Sequence, residues 1–396
     1  MNKKSSHYHH IYLIILMFML APLSALSSDC LDEIKKKYPK LITVKPSYAK
    51  NFELYRHLEE SNNFTFLKIK KLWIGDNNGK EYFISNKPQA LKDCNKIKLI
   101  DNKKNNRVIP LSTSYVAFLE ALELENSIIS FPNTNFLNSK RTLDLVNAGK
   151  IKNLKYPLNI EEIISHKPDL IISYSSSSPE VLGLEKIEKL TSKVIFFPEY
   201  LEIHPLARIE WIIVLGSLMN RVPAATLYFN KIVRNYSYYK SKIIGVKNRV
   251  KIQVLLGSKI NGQWTTPSNH SYLGILVQDA GGRILINEKK LTHDNLKFEN
   301  ILQIKNEIDV WLPHTIWQNK KDMINEDTKY NLLLNNSNIS IYNASKKISA
   351  TSGFDFWETG LSRPDLILKD LNTIFKKVSS KSSKNIQKEL IWYQKL

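Results

Sequence analysis

Side chains suited to gripping a ligand recur in this sequence just after short apolar runs. Ser112 and Thr113 follow the run 107–111, with Tyr115 close behind, and Tyr174 ends the run 170–173. Trp264 comes after the run 251–256, and Asp355 and Trp357 lie in the loop after 339–342. If those runs are parallel strands, their C-terminal ends open onto the crevice where α/β folds bind ligands. Aromatic faces beside a few hydrogen-bonding groups suit the holding of a large, flat, partly apolar molecule. Arg208 adds a cation, which either meets an acidic ligand or pairs with Glu202 or Glu210 as structure.

Bond-making machinery is not recognisable. The sequence has no glycine-rich phosphate loop, no nucleophile elbow and no Cys–His or paired-carboxylate arrangement in a sensible context. His204, His270, His293 and His314 are dispersed, no two of them at metal-ligand spacing on one helix, so neither a metal site nor a cofactor is expected. The formal net charge of +20 raises the question of nucleic acid. The cations are mostly Lys scattered among Asn and Ile, without zinc-finger spacing, an aromatic RNA-binding signature or a basic heptad region. They read as a solvated surface rather than a nucleic-acid face, with a basic protein that binds anionic surfaces as the alternative.

The elements that position these residues follow from local pattern. Residues 1–27 read as a cleavable signal peptide: Lys3 and Lys4, an apolar stretch, then Ala25-Leu26-Ser27. The stretch is short and interrupted by Pro22, so no stable membrane insertion is expected. Asp29 precedes Cys30 where a lipid-attachment signal needs a small residue, so Cys30 reads as a thiol. In an oxidising compartment it either pairs with Cys94 in a disulfide or both remain thiols. Residues 28–106 form a β-rich extension, with strands 64–69 and 81–84 around the turn 76–79. Strands and helices alternate in a first α/β lobe, 107–222, and again in a second, 245–376. A single helix without internal Gly or Pro, 223–244, joins them, and residues 377–396 read as a frayed tail. The fold class is therefore α/β: two lobes with central sheets flanked by helices, joined by one long rigid helix, with a ligand cleft between them.

Several segments resemble one family, the helical-backbone periplasmic binding proteins of ABC importers for iron siderophores, haem and cobalamin. Asn159-Ile160-Glu161 with Lys167-Pro168-Asp169-Leu170, Leu215-Gly216, and Ala280-Gly281-Gly282 are similar to that family's motifs in order and spacing. Phe298-Glu299 resembles the helix start in its second lobe. Segments 48–52, 200–211 and 354–365 resemble a particular bacterial branch. The resemblance implies a periplasmic, monomeric protein that delivers a metal-chelate small molecule to an ABC permease and its ATPase. It implies that Tyr174 packs against the ligand, and that Glu161 and Glu299, one per lobe, dock on permease arginines. Each is also the ordinary acidic residue of a first helical turn. Where cobalamin binders carry an arginine, this chain has Thr359. A chelatase-like enzyme shares the architecture and is the alternative within the same fold.

Overall fold

The structure is a computed structural model and describes residues 30–59, 63–87, 94, 97–102, 107–155, 158–191, 193–244, 251–286, 296–335 and 337–396. The expected signal peptide, 1–27, and His293 lie outside the described residues. The chain divides into two units, residues 1–40 and 41–396. The described part of the first contains helix α1 (Cys30–Lys37), with Asp32 and Glu33 in its first turn and three lysines in its last, charges that suit the helix dipole.

In the second unit the extension is a five-stranded sheet. Strands β1 (Ile42–Val44), β2 (Phe52–His57), β3 (Phe64–Ile69), β4 (Lys80–Ser85) and β5 (Lys98–Asp101) lie in that order, antiparallel except for the β4–β5 pair. Phe52, Leu54, Leu67, Tyr82 and Ile84 join the same buried cluster as Val108 and Ile109, so the sheet packs on the first lobe.

That lobe is parallel. Strands β6 (Val108–Pro110), β7 (Ser130–Pro132), β8 (Lys152–Leu154), β9 (Leu170–Ser173) and β10 (Val194–Phe196) give the order β10-β9-β6 and a separate β7–β8 pair. Between them run α2 (Thr113–Ala121), α3 (Lys140–Asn147), α4 (Ile160–Ser165) and α5 (Ser178–Thr191), the crossovers that parallel strands require. The stretch 205–220, which reads as one helix, is two: α6 (Pro205–Glu210) and α7 (Ile212–Leu218), meeting at Trp211.

The linking helix α8 (Val222–Ile244) has 23 residues, about 35 Å of rod. Ala225, Phe229, Ile232 and Tyr236 give it one buried stripe at helical spacing. A Cβ on Gly216 would stand 2.7 Å from the Ala225 Cβ, so the Leu-Gly motif permits α7 to cross close to α8.

The second lobe holds β11 (Ile252–Leu256), the hairpin β12 (Ser258–Ile260) and β13 (Gln263–Thr265), then β14 (Gly282–Ile284), β15 (Val310–Leu312), β16 (Ser340–Asn343) and β17 (Gln394–Lys395). Its sheet runs β14-β11-β15-β16-β17, with only the β16–β17 pair antiparallel. A Cβ on Gly282 would meet Val277, Phe375 and Val254 side-chain atoms at 2.8 to 3.0 Å, which accounts for glycine in the Ala-Gly-Gly motif. Helices α9 (Tyr272–Asp279), α10 (Phe298–Gln303), α11 (Lys320–Glu326), α12 (Tyr330–Leu334), α13 (Thr359–Ser362) and α14 (Pro364–Ser379) complete it.

The reading of 377–396 as a frayed tail is corrected. After α14 the chain returns to lay β17 on the sheet, and Ile386, Leu390, Trp392 and Tyr393 are buried. The Asp370 carboxylate accepts from the Ile391 and Trp392 N–H groups at 2.9 Å each. Burial of that apolar cluster outweighs the Ser- and Lys-rich turn before it.

Candidate functional site

Six of the eight expected ligand-contacting residues meet in one cleft. Ser112, Thr113, Tyr115, Tyr174, Arg208 and Trp357 line a cavity of 320 Å³ together with Ser114, Ser176, Glu199, Tyr200 and Leu361. The loops after β6, β9 and β10 supply one side, at the C-terminal ends of parallel strands, where the backbone turns and side chains splay outward. Trp357 and Leu361, from the chain beyond β16, supply the other.

Each wall is held by its own bonds. Ser112 caps α2 by accepting from the Ser114 N–H. Tyr115 is buried and donates its hydroxyl to the Phe197 carbonyl at 2.7 Å, so it shapes the floor of the cleft. Tyr174 is 44% exposed and stands edge-on to Tyr200 at 6.1 Å, while Tyr200 donates to the Ser175 carbonyl at 2.6 Å. Arg208 forms neither of the ion pairs considered for it. Its Nε donates to the Glu202 carbonyl at 2.8 Å and its Nη2 to the Tyr200 carbonyl at 3.0 Å, and its guanidinium lies 4.7 Å over the Tyr272 ring. Arg208 also lines the cleft. Trp357 packs on Tyr272 at 6.0 Å and Phe356 at 4.8 Å.

Two expected contacts are corrected. Trp264 is 1% exposed, donates its indole N–H to the Leu256 carbonyl at 3.1 Å and packs against Trp311 at 5.6 Å in a separate core. The hairpin that carries it folds its side chain inward, away from the cleft. Asp355 is also buried: it accepts from Trp392 Nε1 at 2.9 Å and Thr359 Oγ1 at 2.7 Å, so it anchors the C-terminal segment. The expected disulfide is not present either; Cys30 and Cys94 are thiols in the structure. Among the described residues no three His, Cys, Asp or Glu side chains gather to hold a metal ion. His204 caps α6 by accepting from the Leu206 N–H, and burial pushes the His314 imidazole down to about 4.

The residue that sequence reasoning missed is Glu199. It follows β10 at a strand end, as the other cleft residues do, which was the available signal. It is 5% exposed and accepts from Ser114 Oγ at 3.0 Å. Burial pushes its carboxyl up to about 7, against the pull of Arg208 and Ser114. An acid whose folded value lies above its unfolded one keeps its proton in the native state while the unfolded chain has lost it. Its contribution to stability is therefore greatest at low pH and falls as pH rises toward and through 7. Between pH 6 and 8 this one group costs about 1 kcal/mol of unfolding free energy. Glu199→Gln, a neutral stand-in, should flatten that slope by about the same amount in urea titrations. An unchanged slope would mean that Glu199 is ionised throughout.

Glu161 and Glu299 are both exposed in first turns, on α4 of the first lobe and α10 of the second. The Asn159 side chain caps α4 by accepting from the Glu161 and Glu162 N–H groups.

With this geometry in place, likeness to known proteins is informative. Residues 108–336 match the family described as periplasmic binding protein. An uncharacterised lipoprotein of Methanocaldococcus jannaschii is 27% identical over 365 residues, covering 85% of this chain and 82% of that protein. The high-affinity heme uptake system protein IsdE of Staphylococcus aureus is 25% identical over 228 residues, 57% of this chain and 73% of that one. A solved structure described as a possible iron-binding periplasmic solute-binding protein of Staphylococcus epidermidis shares the fold. It aligns with a TM-score of 0.51 and 18% identity, over 68% of this chain and 97% of that one. No described helix is long and apolar enough to cross a membrane. The family match spans over half of the 396 residues, and on that ground the chain belongs to the periplasmic binding protein family.

Proposed function

We propose that this protein is the periplasmic substrate-binding component of an ABC importer. It captures a chelated-metal ligand, a ferric siderophore, haem or a cobalamin-like corrinoid, and presents it to the permease and its ATPase. The observation that carries this reading is the convergence of Ser112, Tyr174, Arg208 and Trp357 on one cleft from loops far apart in sequence. Two aromatic side chains offer flat apolar contact, hydroxyl groups offer hydrogen bonds, and Arg208 offers a cation for an acidic ligand edge. The heme uptake relative supports this ligand class. The cavity of 320 Å³ sits at the low end of small-molecule sites, so a large chelate is held with part of its surface open to solvent. The rod-like α8 favours small lobe displacements over wide closure. Glu161 and Glu299 are the docking carboxylates in this reading, and the protein works as a monomer.

Titration of intrinsic fluorescence with haem, cobalamin, and catecholate and hydroxamate ferric siderophores tests the proposal. One ligand class should quench with saturable affinity, and Tyr174→Ala or Trp357→Ala should weaken it about tenfold or more. If no member of the panel binds, or if both variants bind as tightly as the parent, the cleft is not the chelate site.

A further inference from the structure

Segment 199–208 presents two sides. Glu199, Tyr200 and Arg208 line the cleft, whereas Leu201, Glu202, Ile203, His204 and Ala207 line a second cavity of 690 Å³, more than twice as large. Tyr48, Lys50 and Asn51 of the extension form another part of its wall, with Trp73 and Ile74 from the loop after β3, and His270 and Ile275 of the second lobe complete it. The extension precedes the residues that match the family model, 108–336.

The lining is largely aromatic and aliphatic, with three lysines and one buried glutamate. Tyr48 stacks on His204 at 5.4 Å, and the cap bond to the Leu206 N–H holds that imidazole in place. Ile74 is 83% exposed and Ile203 54%, so apolar surface is left to solvent on two of the walls. Lys50, Lys70 and Lys71 bring three ammonium groups. Lys70 pairs with Glu53 at 3.0 Å; among the described residues, neither Lys50 nor Lys71 has a carboxylate in ion-pair range. The acidic group on the wall, Glu202, is buried and committed to the Lys50 and Asn51 N–H groups and to Trp211 Nε1. A cavity of this volume, apolar in its body and cationic at its edge, matches a ligand with the complementary distribution.

We propose that this cavity is a second ligand site, taking a small anionic molecule with a flat apolar body, of the aromatic carboxylate or sulfonate class. The test uses the whole mature chain and two probes, anilinonaphthalene sulfonate and its uncharged counterpart phenylnaphthylamine. Lys50→Glu with Lys71→Glu should weaken the sulfonate about fivefold or more and leave the uncharged probe within about twofold, because only the charge term is reversed. Trp73→Ala should weaken both probes, and Tyr174→Ala, in the other cleft, should change neither. These lysines are exposed, so unchanged melting temperatures confirm that the variants fold. Sulfonate affinity unaffected by the lysine reversals, or abolished by Tyr174→Ala, overturns the proposal.

Discussion

Replacing Glu210 by alanine is expected to cost about 3–5 kcal/mol of unfolding free energy, far more than one side chain's hydrogen bonds usually contribute. Its carboxylate, 2% exposed, accepts from three consecutive backbone N–H groups: Ser47 at 2.6 Å, Tyr48 at 2.8 Å and Ala49 at 2.7 Å. Glu202 continues the series, accepting from Lys50 at 2.9 Å and Asn51 at 2.8 Å. Two acids, one before α6 and one at its last residue, thus hold five successive amides of the extension against the first lobe. Truncating Glu210 strands three donors, the Ala49 N–H in a buried bond and the Ser47 and Tyr48 N–H groups in partly buried ones, and a donor kept from water costs about 1–3 kcal/mol. Urea unfolding followed by tryptophan fluorescence measures the loss, and proteolysis should quicken near residues 47–51. A loss below about 1 kcal/mol would show that the extension is held by its apolar face alone.

The second large effect belongs to transport. In the proposed importer role, Glu161→Arg combined with Glu299→Arg should cut uptake about a hundredfold while ligand affinity stays within about twofold. Both side chains are exposed on helix first turns, one in each lobe, and neither is among the residues lining the cleft. Reversing two contacts of a charge-matched interface replaces attraction with repulsion worth several kcal/mol, and each 1.4 kcal/mol is tenfold in affinity. Uptake of labelled ligand by cells carrying only the variant, beside a binding titration of the purified protein, separates docking from capture. Normal uptake by the double variant would reduce both residues to ordinary first-turn acids.

What could be read from local pattern and what could not differ for physical reasons visible in single residues. Trp264 and Tyr174 looked alike as aromatics near strand ends, yet one lies in a core and the other on the cleft wall. The difference is the face to which a hairpin folds, and a residue's own neighbours in sequence do not carry that. Asp355 was misread for a similar reason: its partner Trp392 lies 37 positions away. The C-terminal tail shows the converse failure. Its Ser and Lys content suggested fraying, although Ile391-Trp392-Tyr393 were on view as a docking cluster.

The amino-acid order alone was enough for the alternation of strands and helices, the long α8 with its apolar stripe, and the strand-end loops that line the cleft. Those properties follow from periodicity, capping and turn chemistry acting within a few residues. Three-dimensional packing alone decided that a larger cavity stands beside the cleft, that burial pushes the Glu199 carboxyl up to about 7, and that Glu202 and Glu210 bolt the extension down. Each depends on desolvation and on partners up to 163 residues apart, and such contacts acquire an energy only when the chain brings those groups together out of water.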